Sequence, residues 1–167
     1  MNNIQELAVY LLPFWTINTG LNLLGFSKKQ FKKLADIDYP VDFRISLPDG
    51  QRILGESTTW LGIPISLTIG LLSQAIFNNP PAGIITAIAV YCGHALGSFI
   101  KRRFKFTDGR FMPLIDHGDY VILGAIIFSS SGMIKIEIAL ASIAITLIMQ
   151  PLFCYLGYKL GLREYPL

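Results

Sequence analysis

Five long apolar stretches, separated by loops of very unequal charge, constrain this chain more than any other feature. They lie at about residues 4–26, 60–79, 82–100, 114–131 and 137–158. A bilayer core of about 30 Å is crossed by roughly 20 apolar residues in a helix. With 52% hydrophobic and only 15% charged residues, the chain falls outside soluble globular domains, in which about a quarter of residues are charged. The expected fold class is an all-α integral membrane protein, a single domain over residues 1–167. It would be a bundle of about five transmembrane helices with two long cytoplasmic loops. The fourth stretch reaches spanning length only if Asp116 and Asp119 belong to its first turns. Charges facing lipid are costly, so those carboxylates are expected to face protein or water.

The basic residues set the orientation. Lys28, Lys29, Lys32, Lys33, Arg44 and Arg52 lie in the first long loop, and Lys101, Arg102, Arg103, Lys105 and Arg110 in the second. Lys159 and Arg163 follow the last stretch, while the opposite connections hold only Lys135. The positive-inside rule then puts the N-terminus outside and both long loops and the C-terminus in the cytoplasm, as in a multi-pass protein of the cell membrane. The N-terminus lacks the basic start and cleavage site of a signal peptide, so the first apolar stretch is expected to remain. Cys92 and Cys154 lie far apart within apolar stretches and suggest neither a disulfide framework nor a zinc site. Gly93, Ala95, Gly97, Ser98, Gly124 and Ala125 would allow close helix contacts, and the short outer connections predict hairpins of 60–79 with 82–100 and of 114–131 with 137–158. Lys28 to Lys33, interleaved with Phe31, is either a short amphipathic helix on the anionic leaflet or a solvated basic flank.

The polar residues able to do chemistry gather in the two inner loops. In the first, Pro48-Asp49-Gly50 marks a turn, and Gly55-Glu56-Ser57-Thr58-Thr59 brings hydroxyls and amides to the start of the second apolar stretch. A helix N-terminus there would attract an anion; the alternative is an ordinary N-cap by Ser57, Thr58 or Thr59. Trp60 marks the membrane interface rather than a base-stacking platform. In the second loop, Ser98-Phe-Ile-Lys101-Arg102-Arg103 supplies cations suited to phosphate oxygens, although a basic flank after a span looks the same. Pro113-Leu-Ile-Asp116-His117-Gly-Asp119 places two carboxylates at i, i+3 on one helix face, where they can share a cation or cap the helix. Mg²⁺ suits such a pair, since it binds through one or two carboxylates with phosphate oxygens and water. His94 is expected to be a hydrogen-bonded interior group, and His117 either a phosphate donor or a loop residue. Two isolated histidines make no zinc site.

Three blocks together resemble the CTP-dependent cytidylyltransferases of lipid synthesis, the CDP-archaeol synthase family above all and the bacterial phosphatidate cytidylyltransferases more distantly. They are Pro40-Val-Asp42 with Asp49-Gly50 and Arg52-Ile-Leu-Gly55-Glu56-Ser57-Thr58-Thr59-Trp60-Leu-Gly62, then Ser98 to Arg103, then Pro113 to Asp119. The resemblance implies CMP transfer from CTP to a membrane lipid phosphate, with Mg²⁺ as cofactor and pyrophosphate as the second product. In the archaeal family the lipid is 2,3-bis-O-geranylgeranylglycerol 1-phosphate; phosphatidate, giving CDP-diacylglycerol, is the alternative, and a non-catalytic membrane paralogue a further one. Partners would be CTP, the lipid phosphate and membrane lipids, with no nucleic acid. By the same resemblance Asp116 and Asp119 hold the metal, and these two with Lys101 form the catalytic set. Ser98 and Arg102 contact phosphates, and Gly55, Glu56, Ser57, Thr58 and Thr59 help bind nucleotide. The chain departs from the family pattern at Gly93-His94, where relatives usually carry Gly-Asp. That change bears on a second metal site, or marks a paralogue with altered substrate or none.

Two other readings fit less well. A CDP-alcohol phosphatidyltransferase needs a longer acidic frame than Asp108-Gly-Arg110 provides. A small transporter or assembly subunit would place its polar residues at mid-span, where only Gln74, His94 and Gln150 lie.

Overall fold

A computed structural model of the chain describes residues 2–106 and 112–162, without the side chains of Pro113 and Leu114. Asp108, Arg110 and Arg163 lie outside the described residues. Among the described residues six helices follow one another: α1 (Asn3–Gln30), α2 (Lys32–Ile37), α3 (Gly62–Ala75), α4 (Pro80–Arg103), α5 (Pro113–Ser130) and α6 (Ile136–Lys159). Among the described residues α1, α4 and α6 are long and apolar enough to cross a membrane, and α3 is a shorter apolar helix. Each of the five apolar stretches forms a helix, although the second is helical only over 62–75. Its last residues turn instead, with Asn78 at φ 56°, before two prolines open α4, where a missing N–H costs nothing. Both expected hairpins form, α3 on α4 and α5 on α6, and α4 also packs on α5 while α1 packs across α3, α4 and α6.

The core lies where α1, α4 and α5 meet, around Tyr10, Phe14, Ile17, Val90, Tyr120, Val121 and Phe128. Three of these rings lock together: Tyr10 and Phe14 lie 4.7 Å apart, and both pack on Phe128. Several polar side chains in the helices find partners inside the bundle, as most buried polar atoms do. Trp15 Nε1 donates to Thr146 Oγ1 at 3.1 Å, Tyr120 Oη to Gln150 Oε1 at 3.1 Å and Gln74 Nε2 to the Val9 carbonyl at 3.3 Å. Gln74 thereby ties α3 to α1, and Gln150 ties α6 to α5.

Glycines set the closest approaches. At Gly93 an added Cβ would lie 2.5 Å from Tyr120 Cα, and at Gly97 it would strike the Asp119 carboxylate. Gly70 and Gly83 bring α3 and α4 together in the same way, and Gly124 admits the Phe14 ring. Small residues thus let helix backbones approach within van der Waals contact.

The segment from Asp38 to Leu61 is a compact loop without long strands, braced by two buried carboxylates. Asp38 accepts from Lys28 Nζ (2.8 Å), Thr59 Oγ1 (2.7 Å) and the Leu61 amide (3.0 Å). Asp42 accepts from Arg52 Nη2 (2.6 Å) and from the amides of Leu54 (2.9 Å) and Arg44 (3.0 Å). Burial alone would raise the Asp42 carboxyl, but Arg52 and the two amides hold it below its ordinary value of 3.8; Asp38 is held low against burial by Lys28, Thr59 and Leu61. The N-cap of α3 is Leu61, without a side-chain cap. The hydroxyls of residues 57–59 therefore do not cap it, and Asp38 reaches in from the preceding turn to take that amide.

Two tests follow from this packing. Gly93→Ala must push α4 from α5 and should lower the melting temperature in detergent, overpacking costing about 1–3 kcal/mol. Gly25→Ala, with nothing within 4 Å of the new methyl, should leave it unchanged or raise it. A carboxyl depressed by folding contributes stability above its unfolded value and loses it as pH falls through the folded value. The loop should therefore hold at neutral pH and become protease-sensitive only below about pH 3.8, whereas Asp42→Asn should be equally sensitive at both.

Candidate functional site at the crossing of α4 and α5

The site is built on the antiparallel crossing of α4 and α5. His94, Ser98 and Lys101 follow at i, i+4 and i+7, so they share one face of α4. Asp116 and Asp119, one turn apart, face them from the start of α5. Because Gly93 and Gly97 bring the backbones together, the side chains meet in two rungs. Lys101 Nζ lies 2.5 Å from Asp116 Oδ1, and His94 Nδ1 lies 3.2 Å from Asp119 Oδ2. The second oxygen of each carboxylate accepts a backbone amide, Met112 N at 2.6 Å for Asp116 and Tyr120 N at 2.7 Å for Asp119. Met112 is the N-cap of α5, so Asp116 reaches back to the cap amide and the helix start also favours its negative charge.

The first loop closes over this crossing from the other side. Thr58 Oγ1 is 3.5 Å from Ser98 Oγ, and Tyr91 Oη donates to the Thr59 carbonyl at 2.7 Å. Arg103 fastens the far side of the loop: Nη1 reaches Asp49 Oδ2 at 2.5 Å and Nη2 the Arg52 carbonyl at 2.6 Å. Arg103 is therefore a brace between α4 and the loop, and Arg102 Nη1 donates to the Phe106 carbonyl at 3.2 Å.

The structure thus brings Thr58, Ser98, Lys101, Asp116 and Asp119 to one crossing. Gly55 and Thr59 are buried in the adjoining turn, while Glu56 and Ser57 are exposed and Glu56 pairs with Arg52. His117 is neither a loop residue nor at the surface. It is buried within α5, its Nε2 3.8 Å from Cys154 Sγ of α6. His94 has the expected hydrogen bond, but to Asp119, which its sequence position did not disclose. Asp38, whose carboxylate ties α1 to the start of α3, has no sequence signal at all; its three partners come from residues 28, 59 and 61.

The donor set suits a hard cation held only partly by protein. Two carboxylates stand one turn apart with cationic neighbours, and no group of three or more His, Cys, Asp or Glu able to hold a metal occurs among the described residues. A cation here would complete its shell with water and ligand oxygens, the manner in which Mg²⁺ binds beside phosphates.

Comparison with known proteins gives the lineage. Residues 73–167 match the profile of the CarS-like family of CDP-archaeol synthases. The CDP-archaeol synthase of Methanothermobacter thermautotrophicus is 32% identical over 174 residues, covering 98% of this chain and 95% of the relative. That of Sulfolobus acidocaldarius is 31% identical over 135 residues, covering 76% and 82%. The fold is similar to a solved structure described as an intramembrane enzyme for archaeal membrane lipids biosynthesis, with a TM-score of 0.67, 24% identity and coverage of 86% of this chain and 89% of the other. With its profile match over more than half its length and a relative 32% identical along nearly the whole of both chains, the chain belongs to the CDP-archaeol synthase family.

Proposed function

We propose that this protein transfers CMP from CTP to the phosphate of an archaeal isoprenoid glycerol ether, 2,3-bis-O-geranylgeranylglycerol 1-phosphate, releasing pyrophosphate. The observation that carries this is the pairing of Lys101 with Asp116 beside Asp119 at the end of two apolar helices, in a chain of this family. Phosphatidate is the less favoured acceptor, since the curated relatives named above are CDP-archaeol synthases.

The chemistry asks little of a general base. A lipid phosphate monoester is already an anionic nucleophile at neutral pH. One of its oxygens bonds to the α-phosphorus of CTP as the bond to the β-phosphate oxygen breaks, and the electron pair leaves on pyrophosphate. The protein's part is in-line positioning and charge stabilisation. Asp116 and Asp119 would hold Mg²⁺, which when bound supplies charge neutralisation to the triphosphate. Lys101, exchanging Asp116 for a phosphate oxygen, neutralises the leaving group. Ser98 and Thr58 aim hydroxyls at the same space, Arg102 stands one residue beyond Lys101, and the turn from Gly55 to Thr59 lines the nucleotide side. No covalent intermediate is needed.

The same reading makes α3 and α5 membrane-embedded partners of the three long helices, giving five spans. The N-terminus would lie outside, and the catalytic crossing would face the cytoplasm, where CTP is found. The positive charge of both long loops supports this orientation.

The test is transfer of label from α-labelled CTP into extractable lipid by the purified full chain with Mg²⁺, offered the unsaturated ether phosphate and phosphatidate in parallel. Asp119→Asn and Lys101→Ala should each lower turnover by about 100-fold or more, as loss of a charge-stabilising group does. Unchanged turnover in both variants would remove them from the site, and folded protein inactive with either lipid would leave the non-catalytic paralogue.

A further inference from the structure

The loop that covers the site carries an exposed aromatic patch that the chemistry above does not use. Phe43 is 60% and Trp60 47% exposed, with Tyr39 and Ile45 alongside. The rings adjoin, Tyr39 to Phe43 at 6.4 Å and Phe43 to Trp60 at 6.0 Å, and the Arg44 guanidinium lies 5.1 Å over the Tyr39 ring. Phe31 and Ile37, at either end of α2, are more exposed still.

The backbone is held in an uncommon conformation to present this patch. Phe43 and Arg44 are consecutive non-glycine residues at φ 49° and 60°, a region costly for bulky side chains. Asp42, itself pinned by Arg52, accepts the Arg44 amide, and the Phe43 and Ile45 amides bond back to Pro40 and Asp42. The base of the turn is tied to Trp60, whose amide donates to the Tyr39 carbonyl at 3.1 Å. A turn meant for water gains nothing from a strained, outward phenylalanine.

We propose that the turn Tyr39–Ile45, together with Trp60, is an interfacial anchor that seats this loop in the phosphate-rich headgroup layer of the bilayer. Its place in the chain supports that occupant: the patch lies between the end of one apolar helix at Gln30 and the start of another at Gly62. Tryptophan and tyrosine favour that depth, with an apolar body in the acyl boundary and a polar edge among headgroups. Charge agrees as well. Asp38, Asp42 and Asp49 are each paired with a base and Glu56 is shared by Arg52 and Arg44, while Lys32 and Lys33 are exposed on α2 with only Asp36 beside them in that helix. An anionic leaflet suits that balance.

The chain has two tryptophans, so Trp15→Phe leaves Trp60 as the only one. The full chain in this form is reconstituted in vesicles of phosphatidylcholine and phosphatidylglycerol, brominated either high or deep in the acyl chains. Trp60 should be quenched about two-fold more by the shallow bromines than by the deep ones, as an interfacial ring is, and weakly by aqueous iodide. Strong iodide quenching without bromolipid quenching would show a water-facing loop and overturn the proposal. Protection from both quenchers that rises with protein density would put a second copy of the chain on the patch and overturn it equally. Phe43→Gly, which relieves the positive φ, should keep the melting temperature while increasing iodide quenching of Trp60. A lower melting temperature with unchanged lipid quenching would make Phe43 an internal prop instead of an anchor.

Discussion

The close crossing of α4 and α5 governs the rest of this structure. Two glycines four residues apart let the backbone of α5 lie against α4 at Tyr120 and Asp119. Only at that separation do the side chains on either side of the crossing meet as pairs. A methyl at Gly97 would occupy the position of the Asp119 carboxylate, so the glycine is as much a part of the site as the acid it accommodates. Tyr120 joins the two functions: its amide holds one Asp119 oxygen while its hydroxyl reaches Gln150 of α6. Helix packing and carboxylate orientation are thus one constraint.

The first long loop depends on that crossing through α4. Arg103 grips the loop at Asp49 and Arg52, and Tyr91 grips it at Thr59, so α4 presents both the cation that faces α5 and the supports for the opposite wall. Neighbouring cations divide these duties. Lys101 points across to Asp116, Arg103 back to the loop, as residues two apart on a helix must point to different sides. Within the loop, burying Asp38 and Asp42 is tolerated because each carboxylate is surrounded by a cation and amides, the condition under which buried charge avoids a heavy desolvation cost.

Much of this was legible in the sequence. Apolar length gave the helices and the short outer connections their pairing, because lipid and the 1.5 Å helical rise leave few alternatives. The i, i+3 spacing of Asp116 and Asp119 put them on one face, and the three blocks carried the family. Less legible were the partners. His117 shares the acidic motif yet turns inward to Cys154, since its neighbours one and two positions away already occupy the face toward α4. Ser57, Thr58 and Thr59 look like caps in a row, but the helix begins later and a carboxylate from before the loop takes the free amide.

What the sequence by itself determined is the set of apolar helices, the side on which the charges gather and the kinds of group available for phosphate chemistry. These depend on local composition and periodicity, which each segment carries alone. What only the tertiary structure decided is which cation faces which carboxylate, which arginine braces the loop, and how closely two helices cross. Those depend on contacts between residues far apart in the chain, Asp38 with Thr59, Asp49 with Arg103, His94 with Asp119, and on whether a single hydrogen or a methyl stands at residues 93 and 97.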